Sequence, residues 1–176
     1  MRVSIGSDHA GFEQKQALVD YLVGKGYDVI DRGPDNDDRV DYPDYAAPVA
    51  QDVAAGVAER GVLVCGTGIG MAMAADKVPG VRAANIINSE FAALCREHND
   101  ANVITLSGRF VPLEENERIL DTFFATDFGG GAPPRRGGRP PRRPRSEDNG
   151  TRLEKTREAQ RGLAKETIDG FGISRR

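Results

Sequence analysis

The run Gly61–Cys65 is apolar at every position, five residues long, and opens directly into the glycine turn Gly66–Gly70. A strand with no polar face must be covered on both sides, which is the condition of an interior strand in a parallel sheet flanked by helices. That requirement organises the first 128 residues. Arg2–Ile5 reads as a strand ended by Gly6, and Phe12–Val23 places Phe12, Leu18, Val19 and Leu22 near helical spacing before Gly24 and Gly26. Tyr27–Asp31 reads as a second strand and Asp44–Ala58, after Pro43, as an Ala/Val-rich helix. Ile69–Lys77 follows as a helix, Val81–Ile87 as a strand, Ser89–Glu97 as a helix and Asn102–Leu106 as a strand. Pro112–Phe124 closes the series as a helix with proline at its first turn.

Five strand–helix units imply an α/β fold: a three-layer α/β/α, Rossmann-like arrangement around a five-stranded parallel sheet. In open sheets of this kind, ligands lie at the carboxyl ends of the strands, beside the point where strand order reverses. With the common order 2-1-3-4-5, Ser7, Asp8 and His9 face Cys65–Gly70 across that point.

The glycines at 66, 68 and 70 let backbone N–H groups turn toward an anion beside a helix N-terminus. The spacing is neither a dinucleotide fingerprint nor a phosphate loop ending in Lys-Ser/Thr, and a tight connection is the plain alternative. Cys65 sits at the mouth of this turn, where backbone donors favour a thiolate able to act as base or nucleophile. Cys95, within a helix, reads as a small buried hydrophobe. The only histidines, His9 and His98, lie in the polar settings SDHAG and EHND. Each has the alternative of a solvated surface imidazole. Asp8 also suits an N-cap, and Asn99 or Asp100 a turn. Because His98 and Asn99 precede the fifth strand, they belong at the amino edge of the sheet, opposite Cys65. A site using both groups requires a second copy of the chain across a two-fold axis.

Charge divides the 176-residue chain: net −10 over residues 1–128 and +7 over 129–176. Gly129–Arg145 contains only Gly, Ala, Pro and Arg, so residues 129–150 read as a disordered linker. Residues 151–176 form a tail with a thinly apolar helix expected over 151–166. The six arginines of Gly129–Arg145 lack interleaved aromatics. They suit salt-sensitive nonspecific contact at most, not specific nucleic-acid recognition, and a solvated tail is the preferred reading. No apolar run approaches the roughly 18 to 20 residues of a membrane span. The N-terminus lacks the zones of a secretory signal, so a cytoplasmic location is expected. Two cysteines make neither a disulfide framework nor a metal cluster.

Five segments, SDHAGF (Ser7–Phe12), DYPDYA (Asp41–Ala46), CGTGIGMAMAADK (Cys65–Lys77), EHNDANV (Glu97–Val103) and SGRF (Ser107–Phe110), together resemble the ribose-5-phosphate isomerase B family, which includes galactose-6-phosphate isomerase subunits. The resemblance covers about residues 1–128. It implies a cofactor-free and metal-free aldose–ketose isomerase of the pentose phosphate pathway, working through an enediolate. Cys65 is then the base, with Thr67 and the amides of Gly66, Gly68, Ile69 and Gly70 holding the developing oxyanion. His98, from the partner subunit of a homodimer or tetramer, opens the sugar ring beside Asn99. Asp8 and Tyr42 contact the sugar, and His9 and Arg109 the phosphate. Some relatives have glycine at position 65 and a glutamate base at 71. Here Cys65 and Met71 place the chain in the cysteine subtype. The family's GGRxxxR segment is matched by Gly137–Arg143, with Arg139 and Arg143 as phosphate ligands, but Pro140, Pro141 and Pro144 forbid its usual helix. Arg157 and Arg161 are the alternative pair.

Two other functions remain open from sequence alone. One is isomerisation of a hexose 6-phosphate such as an allose or galactose phosphate, because pocket length is not written in the motifs. The other is a non-catalytic sugar-phosphate binder, against which Cys65, Thr67 and His98 argue together.

Overall fold

A computed structural model of the chain describes residues 1–130. The tail residues from 131 onward lie outside the described residues, and with them Arg139, Arg143, Arg157, Arg161 and the helix expected over 151–166.

Five strands alternate with five helices: β1 (Arg2–Ser7), α1 (Phe12–Gly24), β2 (Asp28–Asp31), α2 (Tyr42–Ala54), β3 (Arg60–Cys65), α3 (Ile69–Ala75), β4 (Ala83–Asn85), α4 (Ser89–Asn99), β5 (Val103–Ser107) and α5 (Leu113–Ala125). All four strand pairings are parallel. Every element expected within residues 1–128 is present, with ends moved by a few residues. The second helix starts early, at Tyr42, because Pro43 fits a first helical turn. The fourth strand shrinks to three half-buried residues.

Side-chain alternation along the strands divides the core in two. Val3, Ile5, Val62, Val64, Ile104 and Leu106 point to the layer of α1, α4 and α5, where they meet Leu18, Leu22, Ala92, Ile119, Leu120 and Phe123. Leu63, Cys65 and Val103 point the other way, onto Ala46, Val49 and Ala50 of α2 and Met71 and Ala75 of α3. Each fully buried aliphatic or aromatic side chain contributes about 1.5–3 kcal/mol, so both layers are needed to cover the sheet.

The strand order is β2-β1-β3-β5-β4, which corrects the expected order 2-1-3-4-5. β5 is buried at all five positions, as an interior strand must be, whereas the short β4 serves as an edge. The reversal point between β1 and β3 is unchanged. The exchange brings the loop after β5 beside Cys65, since Cys65 and Ser107 are register partners.

Candidate active site

Three loops converge at the carboxyl edge of the central strands. The loop after β1 is tied to β3 by the Asp8 N–H, which donates to the Val64 carbonyl at 3.2 Å. A Cβ on Gly11 would stand 2.5 Å from that same carbonyl oxygen, so only glycine allows this approach. The loop after β5 is held by the Gly108 N–H on the Cys65 carbonyl (2.8 Å) and the Arg109 N–H on the Gly66 carbonyl (3.3 Å). Ser107 Oγ adds a donor to the Gly66 carbonyl at 2.8 Å.

Cys65 ends β3 with its side chain buried at 6% exposure, and its sulfur accepts the Gly68 N–H at 3.1 Å. Gly68 precedes α3 with φ at +80°. That left-handed conformation turns its amide back toward the sulfur, and it favours glycine. Thr67 is exposed, and its hydroxyl oxygen accepts the Ile69 N–H at 3.3 Å. Two amides of the turn, those of Gly68 and Ile69, thus have partners within the turn. The Tyr42 ring lies against Gly70, where a Cβ would come within 3.1 Å of it. The glycine lets the first turns of α2 and α3 meet beside Cys65.

Asp8 does not cap α1, whose N-cap is Gly11. Its carboxylate oxygen instead accepts the N–H groups of Ala10 (2.9 Å) and Gly11 (3.0 Å), folding the loop that carries His9. His9 Nδ1 lies 3.2 Å from the Val40 carbonyl oxygen, which anchors the ring to the approach of α2. Arg109 passes over Gly66, its Cδ 3.4 Å from the position a Cβ would take. His9 and Arg109 share a cleft of about 280 Å³ with Glu13, Gln14 and Asp37.

Gln14 and Asn116 are two contributors that sequence reasoning missed. Gln14 Nε2 donates to the carbonyls of Gly108 (3.1 Å) and Val111 (2.9 Å), bracketing Arg109. Asn116 Nδ2 donates to Gln14 Oε1 (2.6 Å) and the Ser107 carbonyl (3.0 Å). Asn116 is fully buried on the same stripe of α5 as Ile119, Leu120 and Phe123. A polar residue on an apolar helix face was the available signal.

His98 and Asn99 are at the end of α4, before β5, and both are exposed. The topology therefore sets them at the edge opposite Cys65, and the chain does not bring all the expected site residues together.

The family model described as Ribose/Galactose Isomerase matches residues 3–138, most of the chain. The chain belongs to the ribose/galactose isomerase family. A probable ribose-5-phosphate isomerase B from Mycoplasma pneumoniae is 46% identical over 138 residues, 78% of this chain and 91% of that protein. Galactose-6-phosphate isomerase subunit LacB of Clostridium acetobutylicum is 38% identical, over 73% of this chain and 74% of its own length. Among solved structures, a ribose 5-phosphate isomerase from Thermotoga maritima shares 45% identity at a TM-score of 0.73, covering 74% of this chain and 90% of its own. The Mycoplasma genitalium ribose-5-phosphate isomerase B with bound ribulose-5-phosphate shares 44% identity at 0.71, covering 74% and 87%.

Within this isomerase family frame the two thiols have different settings. Cys95 is packed in the α4 layer, and burial pushes its thiol up to about 11 against the opposing charge of Arg96. Cys65 alone stands at the strand edge with an amide donor. Among the described residues, no three His, Cys, Asp or Glu side chains converge as metal ligands, and no helix is long and apolar enough to cross a membrane.

Proposed function

We propose that this isomerase interconverts ribose 5-phosphate and ribulose 5-phosphate with Cys65 as the base. The observation that carries the reading is the placement of the Cys65 sulfur, at the carboxyl end of β3 and under the Gly68 amide, beside the loop bearing Arg109. As a thiolate, Cys65 takes the C2 proton of the open-chain aldose and returns it to C1. One proton leaves O2 and another arrives at O1, so the sugar passes through an enediolate without net gain or loss of atoms. Thr67 and those amides of Gly66–Gly70 that face the sugar stabilise the charge developing on oxygen. Asp8 and Tyr42 contact the sugar. His9 and Arg109 hold the phosphate, for which the guanidinium fork is well matched. His98 of the partner subunit opens the furanose ring, with its neighbour Asn99 binding the sugar, so the working unit is a homodimer or a larger assembly of dimers.

The M. genitalium relative with bound ribulose-5-phosphate supports a pentose substrate, and the LacB relative keeps a hexose 6-phosphate as the second reading. Turnover of ribose 5-phosphate by the purified, metal-stripped full-length chain, compared with galactose and allose 6-phosphates, tests both. Faster turnover of a hexose phosphate reverses the order. No turnover of any of them rejects the isomerase assignment of this site.

A further inference from the structure

Among the described residues, Asp100 is the only residue other than glycine with a positive φ, +49°. Side chains rarely adopt this conformation unless their surroundings fix it, and aspartate is among those that tolerate it. The surroundings here are unusually complete. One carboxylate oxygen accepts from Arg96 Nη1 at 2.8 Å, and the other from Arg82 Nη2 at 2.7 Å. Arg82 Nε donates to the Asp100 carbonyl at 2.7 Å. Arg96, 3% exposed, also donates to the carbonyls of Ala101 (2.6 Å) and Thr126 (3.2 Å). The carbonyl of Glu97 accepts the Gly129 N–H at 3.2 Å. A third arginine, Arg60, lies close enough that burial first, and then the charge of Arg96, push its pKa below the usual guanidinium range. Asp100 is the carboxylate that joins α4 to the segments before β4 and β5.

This clamp sits immediately after His98 and Asn99, whose exposed side chains depend on the backbone that carries them. We propose that Asp100 is a positioning residue: its two ion pairs and left-handed backbone set the pose in which the end of α4 presents His98 and Asn99 to the partner's site. The proposal rests on the isomerase reading above, in which His98 opens the sugar ring. It goes beyond that reading by assigning ring opening a dedicated support that touches no substrate.

Direction of reaction separates this role from a merely structural one. Ribose 5-phosphate closes into a furanose through O4, whereas the ketose cannot, because its ring-forming O5 is esterified. Ring opening therefore burdens turnover from the aldose alone. In the full-length protein at saturating substrate, Asp100→Ala is expected to lower kcat from ribose 5-phosphate by roughly ten- to hundred-fold, the scale of a misplaced catalytic group. The kcat from saturating ribulose 5-phosphate stays within about two-fold of wild type, and the KM values shift so that the ratio of the two kcat/KM values keeps to the equilibrium constant. Asp100→Gly, which accepts the φ but lacks the carboxylate, shows the same loss, and Asp100→Asn recovers part of it. With only two histidines in the chain, the His98 ring cross-peak in a ¹H–¹³C spectrum moves in Asp100→Ala while that of His9 does not. Equal loss of kcat in both directions, full activity in Asp100→Gly, or an unmoved His98 cross-peak overturns the proposal. If Asp100→Ala does not fold, Asp100→Asn and Asp100→Gly decide by the same readouts. A wild-type protein inactive on ribose 5-phosphate defeats the pentose-phosphate reading instead, and the His98 cross-peak then decides whether Asp100 sets its pose.

Discussion

The Gly68 amide donates to the Cys65 sulfur over 3.1 Å, so the residue that precedes α3 is bonded to the residue that ends β3. The sulfur is thereby tied to the glycine turn at the edge of the sheet, at the margin of the apolar layer formed with α2 and α3. Removing it deletes the proposed base without touching the loop that holds Arg109. Cys65→Ala is expected to lower kcat by about 10²–10⁴-fold, the usual contribution of a positioned acid–base group. Binding of inorganic phosphate, followed by calorimetry, stays near wild type. A kcat within about two-fold of wild type refutes the assignment of the base.

The same turn does not tolerate a side chain at Gly68. A Cβ there collides with Asn85 Oδ1 and stands 3.1 Å from the Leu106 carbonyl, at a φ of +80°. Gly68→Ala is expected to cost about 1–3 kcal/mol of stability through this strain and to reduce turnover together with Tm. Gly70→Ala meets only the Tyr42 ring, at 3.1 Å, and a side chain can shift where backbone cannot. Thermal unfolding of the two variants should rank Gly68→Ala as the less stable. The opposite ranking rejects this account of the turn.

Gln14 supplies both hydrogen bonds that bracket Arg109. Gln14→Glu keeps the shape but replaces the donating amide with an acceptor facing two carbonyls, and it adds negative charge to the cleft. The expected result is a KM for the sugar phosphate raised by about ten-fold with kcat little changed, the pattern of lost binding common to ground and transition states. Steady-state kinetics of Gln14→Glu and Gln14→Met distinguish added charge from lost hydrogen bonding, since Met removes the amide, donor and acceptor alike, without adding charge.

Asp52 makes the fold acid-sensitive. Burial pushes its carboxyl pKa up, but hydrogen bonds from Arg32 and Ser4, with the Arg32 charge, outweigh burial and hold it below the ordinary carboxylate range. A carboxyl depressed in the folded state stabilises that state above its unfolded pKa of about 3.9, and the contribution is lost as pH falls through the folded value. Urea midpoints of the wild type should therefore fall below about pH 4 more steeply than those of Asp52→Asn. Parallel slopes in the two proteins count against this linkage.

Much of this architecture was legible in local pattern. The apolar run at Gly61–Cys65, the helical spacing after Phe12 and the proline before α5 each marked an element that the structure contains. Cys65 and the glycine turn were found because a strand running into three glycines concentrates backbone donors at one point. Gln14 was not found, because a glutamine on an amphipathic helix looks like any solvated position. Its meaning depends on a loop more than ninety residues away.

Sequence by itself determined the alternation of strands and helices, the doubly covered sheet and Cys65 as a thiol beside backbone donors. These follow from periodicity and backbone chemistry acting over a few residues. Only the tertiary structure decided that β5, not β4, lies beside β3. The physical reason is competition for burial: β5 can be covered on both faces along its whole length, while the three half-buried residues of β4 can occupy an edge. That choice set Ser107 against Cys65 and carried Arg109 to the glycine turn. The tertiary structure also showed that the end of α4, which carries His98 and Asn99, is clamped by Asp100.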